Sequence, residues 1–229
     1  MVVRPIAHRG LHDKQRGIGE NSLAAFAAAR QAGVPFETDL QITGDDEIVI
    51  GHDRIDPSLT AAQLGLPRLR EVLDVVAGQV PMLLELKDRG IGSRLETQLM
   101  RQLAQYHGEY AVCSFNPSTL VHLRRLGFSH CLGQSTGKLS SAPWLVRKLG
   151  RSQMINFVSR PDFLVCEQEL LPSAPVGFWR RRGLPVLVWT VRSPDEERRA
   201  REFGYNVIFS GYSPQTGKEP NACSGVRET

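Results

Sequence analysis

The stretch IAHRG, residues 6–10, combines residue types that can act on a phosphate or a carboxylate. It closes an apolar, strand-like run over Pro5–His8. The imidazole of His8 can transfer protons near neutral pH, because the ordinary pKa of histidine is about 6.5. The planar guanidinium of Arg9 matches the geometry of phosphate and carboxylate oxygens. Gly10 would let the chain turn away without placing a side chain in a site.

Acidic residues recur at a spacing of two in two other strand-like runs. Glu37 and Asp39 in FETDL share one face of a strand, and so do Glu85 and Lys87 in MLLELK. Carboxylates this close repel each other unless a cation compensates them. If both runs end at one edge, three carboxylates could bind a hard divalent cation. Taken singly, the pairs could also be solvent-facing acids and a local ion pair.

A second histidine follows an apolar run in the sequence IGHD. Like His8, His52 ends a strand-like segment and precedes a charged residue. Two imidazoles at one edge could serve as a general acid and a general base. A lone histidine is more often structural, and the other four are interpreted in that way: His12, His107, His122 and His130.

A scaffold must bring these side chains together, and the sequence predicts one of alternating strands and helices. Strands are predicted over Pro5–His8, Phe36–Leu40, Met82–Leu86, Tyr110–Ser114, Cys131–Gln134, Phe163–Cys166, Pro185–Thr190 and Asn206–Ser210. Helices are predicted over Ser22–Ala32, Arg68–Val76, Ile91–Tyr106, Pro117–Leu126 and Pro194–Phe203. This alternation favours a parallel sheet, and its eight strands favour a TIM (β/α)8 barrel. In such a barrel the carboxyl ends of all strands meet at one rim.

One run does not fit the alternation. Residues 47–51 follow the second strand after a turn at residues 44–46. A parallel crossover needs a dozen or more residues, so this gap is too short for one. The sequence therefore predicts a short β-hairpin excursion after strand two, outside the eight barrel strands.

Composition limits the classes of function. The chain has 229 residues, of which 41% are hydrophobic and 23% charged, and its net charge is +4. This charge falls short of a nucleic-acid-binding footprint, and the run Arg180–Arg182 is interpreted as the exposed end of a helix. We predict a single domain over residues 1–214 and a loose tail over residues 215–229.

The sequence shows neither a signal peptide nor an apolar run long enough to cross a membrane. Its cysteines lack metal-ligand spacing and fit a reduced chain with buried thiols: Cys113, Cys131, Cys166 and Cys223. These features predict a cytoplasmic protein. The oligomeric state is left open by the sequence.

Five short motifs, in this order, resemble the glycerophosphodiester phosphodiesterase family. They are HRG at residues 8–10, GENS at 19–22, ETD at 37–39, HD at 52–53 and ELK at 85–87. Two later stretches, CSFNP at 113–117 and VWTV at 188–191, are also similar to the family pattern. The resemblance spans residues 4–214.

The resemblance implies a TIM barrel and metal-dependent hydrolysis of a small glycerophosphodiester to glycerol 3-phosphate and an alcohol, a reaction of lipid metabolism. It implies that His8 is the general base and His52 the general acid. The metal, Mg²⁺ or Ca²⁺, would be bound by three acids: Glu37, Asp39 and Glu85. The other matched positions would form the substrate-binding site: Arg9 and Lys87 would contact the phosphate, Glu20 and Asn21 would orient groups at or around the substrate, and Trp189 would line the pocket.

The chain departs from the family pattern at several places. Gly19 stands where the family usually has proline, Ser22 where it has threonine, and Gly211 where it has aspartate. The segment over residues 53–84 is shorter than the family's usual insertion. We therefore expect a reduced insertion and a small cap over the site.

Two other functions stay open at this point. A phospholipase D-like or lyase relative acting on lysophospholipids would need an exposed apolar surface, which Trp144–Val146 could supply. A non-catalytic phosphodiester-binding protein is the second alternative. Binding a phosphate does not require an acid–base pair, so the presence of His8 and His52 favours an enzyme.

Overall fold

The structure of the protein, a computed structural model, describes residues 4–87, 94–137, 153–203 and 205–214. The predicted tail over residues 215–229 lies outside the described residues. So do Cys223 and the apolar stretch Trp144–Val146.

Within the described residues the chain forms nine strands, eight of which run parallel and close a barrel. The strands are β1 (Ile6–Ala7), β2 (Phe36–Ile42), β3 (Ile48–Ile50), β4 (Met82–Leu86), β5 (Tyr110–Ser114), β6 (Leu132–Thr136), β7 (Phe163–Glu167), β8 (Val186–Val191) and β9 (Asn206–Phe209). The ring closes because β1 pairs with β9 on one side and with β2 on the other. The predicted TIM barrel is confirmed.

The ninth strand, β3, lies outside the ring and pairs antiparallel with the end of β2. Leu40 is opposite Ile50, and Ile42 is opposite Ile48. The predicted hairpin excursion is therefore confirmed. Its consequence is that the residues after β3 return to the carboxyl-terminal end of β2, where the acids are.

Helices connect the strands on the outside of the barrel. The described helices are α1 (Leu23–Ala32), α2 (Ala61–Leu64), α3 (Leu69–Val76), α4 (Arg94–Leu103), α5 (Pro117–Arg125), α6 (Asn156–Ser159), α7 (Ala174–Arg181) and α8 (Pro194–Glu202). No bounds were predicted for α2, α6 or α7, although the run Arg180–Arg182 at the end of α7 was interpreted as the end of a helix. Short 3-10 turns cover Lys14–Arg16 and Gln168–Leu170.

Helix α1 shows how local sequence positions the start of the site. Its first turn is capped by the Ser22 hydroxyl, which accepts a hydrogen bond from the backbone N–H of Ala25. Its apolar face packs on the barrel, with the rings of Phe26 and Phe36 stacked 4.7 Å apart. It ends at Gly33, whose φ of 66° is left-handed. This packing fixes the chain entering β2.

The barrel interior changes character along the strands. Its lower part is apolar and contains Ile6, Leu83 and Phe163. Toward the carboxyl ends, the same inward-facing positions carry charged residues, as in β4, where Glu85 follows Leu83 at a spacing of two. The site therefore lies at the rim where TIM barrels carry their chemistry.

None of the helices among the described residues is long and apolar enough to cross a membrane. Cys113, Cys131 and Cys166 are free thiols, and Cys131 is exposed, so the prediction of buried thiols is correct for only two of these three. The basic run Arg180–Arg182 ends α7 and is exposed, as predicted.

Candidate active site

Three buried carboxylates meet at the carboxyl-terminal rim. Glu37 and Asp39 lie on β2, and Glu85 lies opposite Asp39 on the neighbouring strand β4. Each offers one oxygen, and these oxygens all lie within 4.8 Å of one another. The period of two along each strand and the parallel register of β2 with β4 together place these acids side by side.

Lys87 compensates part of this negative charge. Its Nζ atom lies 2.8 Å from Asp39 Oδ1 and also contacts Glu85 Oε1. Burial alone would raise the pKa of Asp39, but the nearby Lys87 ammonium holds that pKa below its ordinary value. Burial would likewise lower the pKa of Lys87, but Glu85 and Asp39 raise it above its ordinary value. The lysine is therefore protonated at the rim.

The negative charge of the third acid, Glu37, is not compensated by Lys87 in this way. Burial, followed by repulsion from Asp39 and Glu85, raises the pKa of Glu37 well above its ordinary value. Burial is also the largest cause that raises the pKa of Glu85. A divalent cation would stabilise the charged forms of these acids, and three carboxylate donors suit a hard cation. The residues present therefore fit such an ion.

Arg9 lies against the same cluster. Its backbone N–H donates to Glu37 Oε2 at 3.1 Å, and its Nε atom is 3.4 Å from Asp39 Oδ2. Its Nη1 atom donates to Glu20 Oε1 at 2.8 Å. The guanidinium is thus held at the rim by one acid of the cluster and by Glu20 outside it.

Asn21 orients Asp39 from behind. Its Nδ2 atom donates to Asp39 Oδ2 at 2.9 Å, and its Oδ1 atom accepts from Thr38 Oγ1 at 2.8 Å. Glu20 and Asn21 were predicted to orient groups of the substrate-binding site. In the structure their contacts are to Arg9 and Asp39, so both position other site residues.

Gly10 is required for a reason that the sequence did not reveal. Its φ of 83° is left-handed, and an added Cβ would lie 2.8 Å from the Cβ of Ala25. A side chain at this position would collide with α1. The glycine therefore allows the turn after β1 and also the close approach of α1 beneath Arg9.

His8 directly follows β1 and is mostly buried. Its Nε2 atom lies 3.9 Å from Glu37 Oε2. Burial, followed by the adjacent Arg9, lowers the pKa of His8 to about 3. The imidazole is therefore neutral at pH 7 and can accept a proton. The sequence, in contrast, suggested an ordinary histidine pKa.

His52 lies on the loop after β3. Its side chain is 46% exposed, and its Nδ1 atom is 3.1 Å from Asp53 Oδ1. The preceding residue, Gly51, donates its backbone N–H to the carbonyl of Asp39 at 3.0 Å. This bond places the start of the His52 loop beside the acid cluster.

Both histidines and all three acids lie within the part of the chain that a family model matches. The model of the glycerophosphoryl diester phosphodiesterase family matches residues 8–88 and 56–212. The chain belongs to this family. Its members are hydrolases, and the chain is one of them. No curated protein sequence matches the chain significantly.

Solved structures of the family share the fold. A glycerophosphodiester phosphodiesterase from Parabacteroides distasonis is 22% identical, with a TM-score of 0.75 over 91% of this chain and 92% of that chain. An Oleispira antarctica phosphodiesterase in complex with the product sn-glycerol-3-phosphate is 21% identical, with a TM-score of 0.74 over 91% of this chain and 92% of that chain.

The three departures from the family pattern are accommodated by the fold. Ser22 caps α1 with its hydroxyl, as a threonine would. Gly19 and Gly211 face open space, so neither is needed to avoid a collision. Gly211 has a left-handed φ of 79°, a conformation that aspartate adopts less readily than glycine.

Gln41 is a site residue that the sequence did not reveal. It is buried, two residues beyond Asp39 on β2. Its Nε2 atom donates to the carbonyls of Gly51 and Asp53, each at 2.7 Å, and its Oε1 atom accepts from Ile55 N at 3.3 Å. Gln41 therefore holds both sides of the loop that carries His52. A glutamine at a strand end carries no chemical signature, and its partners become visible only in the fold.

An aromatic pair adjoins the charged cluster. The rings of Phe115 and Trp189 meet edge to face with centroids 5.8 Å apart. Lys87 Nζ lies 5.9 Å from the centre of the Phe115 ring. Trp189, predicted to line the pocket, thus packs against the ring that adjoins Lys87.

Proposed function

We propose that the protein hydrolyses glycerophosphodiesters to glycerol 3-phosphate and an alcohol, with a divalent cation and two histidines. Glu37, Asp39 and Glu85 would hold the cation, Mg²⁺ or Ca²⁺. His8 would act as general base and His52 as general acid. The observation that carries the proposal is the meeting of three buried carboxylates with Arg9 and Lys87, beside a neutral imidazole.

The divalent cation, when bound, would supply a Lewis acid that offsets charge on the phosphoryl oxygens. The guanidinium of Arg9 is oriented by Glu20, so it can donate to a phosphate oxygen without first being ordered. Lys87 adds a second positive charge at the same rim. These groups would stabilise the negative charge that develops in the transition state more than they stabilise the charge of the ground state.

The two histidines differ in the way that base and acid require. His8 is neutral because its pKa is lowered, so it can take a proton from the attacking oxygen. His52 is more exposed and lies on a loop at the edge of the site, where it can give a proton to the departing alkoxide. The attacking oxygen is that of water or of the substrate's own glycerol hydroxyl.

The proposal also covers the type of substrate and the cellular location. The Oleispira antarctica phosphodiesterase is described in complex with sn-glycerol-3-phosphate, which supports a small-molecule substrate with this product for the present chain. We also propose a cytoplasmic location, because the free thiols of Cys113, Cys131 and Cys166 suit a reducing compartment.

A turnover assay tests the proposal. Purified protein is incubated with glycerophosphocholine or glycerophosphoethanolamine, and released glycerol 3-phosphate is measured with Mg²⁺, with Ca²⁺ and with a chelator. We expect product with a metal and none with the chelator. Product from lysophosphatidylcholine alone would favour the lysophospholipid alternative. Binding of glycerophosphocholine without product under any metal condition would favour a binding protein.

A further inference from the structure

Exposed apolar side chains gather at the amino-terminal end of the barrel, opposite the active site. Val158 and Phe157 on α6 are 66% and 51% exposed, and Phe203 after α8 is 42% exposed. The segments that carry them lead into β7 and β9, whereas the acid cluster lies at the carboxyl ends of β2 and β4. Large apolar side chains that are exposed together mark a surface for a partner.

Exposed arginines lie between these apolar side chains. Arg160 directly follows α6, and the run Arg180–Arg182 ends α7 just before β8. The guanidinium of Arg182 lies 3.5 Å from the centre of the Phe178 ring. That ring meets the ring of Phe157 edge to face, with centroids 6.2 Å apart. The arginine is thus joined to the apolar side chains of α6 through one aromatic ring.

The same arrangement continues toward β9. The guanidinium of Arg180 lies 5.7 Å from the centre of the Tyr205 ring, which stacks on the ring of Phe203 with centroids 6.0 Å apart. Because β7, β8 and β9 are neighbours in the sheet, these contacts form one continuous surface. This surface, here named the basal patch, comprises Phe157, Val158, Arg160, Arg180–Arg182 and Phe203.

The positive charge of the basal patch exceeds the negative charge of the acids around it. Within the described residues, neither Arg160 nor any member of Arg180–Arg182 forms an ion pair. Of the neighbouring acids, Asp162 is ion-paired with Arg124, and Glu202 is exposed at the end of α8. An arginine that stacks on a ring keeps the N–H donors in its guanidinium plane available. The patch therefore combines apolar side chains with donors for anionic oxygens.

We propose that the basal patch binds the surface of a membrane that contains anionic lipids. The arginines would donate to lipid phosphates, and Phe157 and Val158 would enter the boundary between headgroups and acyl chains. Single-stranded nucleic acid fits the patch less well, because it binds through open aromatic faces. Here the rings of Phe178 and Tyr205 already face a guanidinium, and Val158, the most exposed apolar member, cannot stack on a base.

The position of the basal patch is compatible with turnover. The patch and the acid cluster lie at opposite ends of the barrel strands, so binding at one end leaves the other end open to solvent. The inference does not depend on the proposed function, and its test measures binding rather than turnover.

Co-sedimentation with vesicles tests the inference. The full chain is mixed with vesicles of phosphatidylcholine alone, or of phosphatidylcholine with phosphatidylglycerol, and the bound fraction is measured at low and at high salt. We expect binding that requires phosphatidylglycerol and weakens at high salt, because salt screens exposed charges. Binding of equal strength to both kinds of vesicle, or binding to neither, would overturn the inference.

Two double variants that remove the same charge provide the matched comparison. Arg180→Gln/Arg182→Gln should lower the partition coefficient onto anionic vesicles by about 25-fold, since each arginine near such a surface contributes about fivefold. Lys14→Gln/Arg16→Gln alters the 3-10 turn after β1, at the carboxyl-terminal end of the barrel, and is the control. It should bind within about twofold of the wild type, because its charges face away from the membrane. Equal losses in both would mean attraction by net charge alone and would overturn the basal patch as a docking surface.

The apolar contribution is tested separately. Val158→Ser should lower the partition coefficient onto anionic vesicles by about 3- to 10-fold, because the membrane no longer buries an apolar side chain. Val158 is 66% exposed, so the core stays intact, and thermal unfolding checks that each variant retains the fold. Unchanged partitioning of Val158→Ser would contradict the inference. Binding of single-stranded RNA without binding of vesicles, or a dimer in solution that Val158→Ser dissociates, would overturn it by assigning the patch to another partner.

Discussion

The ammonium of Lys87 lies 2.8 Å from a carboxylate oxygen of Asp39, and the same ammonium contacts Glu85. Both carboxylates are buried, so this lysine is the nearest compensation for a concentration of negative charge. Lys87 lies two residues beyond Glu85, so the alternation of side chains along a strand places both on the same face. The stability of the rim therefore depends on Lys87 when no metal is bound.

Replacing this lysine should destabilise the fold. Lys87→Met leaves buried carboxylates without their partner, and breaking a buried pair in this way costs about 3–5 kcal/mol. Urea unfolding in a chelator measures the loss. The double variant Lys87→Met/Glu85→Gln removes one of the stranded charges and should recover part of the stability. If the single variant unfolds like the wild type, Lys87 does not compensate the cluster.

Glu37 should have opposite effects on folding and on metal binding. Its raised pKa shows that its charge is unfavourable in the metal-free fold, so Glu37→Gln should raise the unfolding temperature in a chelator. The same change should weaken Mg²⁺ or Ca²⁺ binding by at least about 10- to 100-fold. This is the loss of affinity that typically follows when a residue supporting a metal site is removed. Calorimetric titration measures the affinity. Glu20→Gln, outside the three acids, is the control, and equal losses in both variants would contradict the assignment.

Much of the acid cluster could be predicted from sequence, because its determinants are local. Glu37 and Asp39 share a face by strand periodicity, and the parallel order of strands brings Glu85 to the same rim. Gln41 could not be predicted, since its partners belong to a loop whose path depends on β3. The end of α7 was predicted from its basic run but its start was not, since Pro175 and Gly177 are unfavourable within helices. The proline is tolerated because it lies in the first turn.

Gln41 should act on catalysis through His52. Gln41→Met removes the bonds to the loop over residues 51–55, and loosening a catalytic group in this way can lower kcat by about 10- to 100-fold. KM should change little, because Gln41 is not proposed to contact substrate. A nitrophenyl phosphodiester, whose leaving group needs no proton, should restore most of the rate. Gln31→Met, at an exposed position on α1, is the control. An undiminished kcat would show that the loop does not need Gln41.

The lowered pKa of His8 predicts a pH dependence of stability. The unfolded chain binds a proton at His8 below about pH 6.5, whereas the folded chain does so only near pH 3. Stability is therefore lost as the pH falls between these values, by about 2 kcal/mol at pH 5. His8→Gln lacks this loss, so the stability of wild type relative to the variant should fall by that amount between pH 7.5 and pH 5. Urea unfolding at both values measures it, and a constant difference would mean that His8 titrates normally.

The leaving group should distinguish the two histidines. His8→Gln and His52→Asn should each lower kcat on glycerophosphocholine by about 10²- to 10⁴-fold, the usual contribution of a general acid or base. A nitrophenyl phosphodiester departs without a proton, so it should largely rescue His52→Asn, which lacks the acid, and not His8→Gln, which lacks the base. Rescue of His8→Gln alone would reverse the two roles, and equal rescue would mean that they are not divided. Wild-type turnover by His52→Asn would make His52 a structural histidine. The physical reason to expect the first result is the environment of each ring: His8 is buried beside Arg9 and held neutral, whereas His52 is open to solvent, from which it can be reprotonated after each turnover.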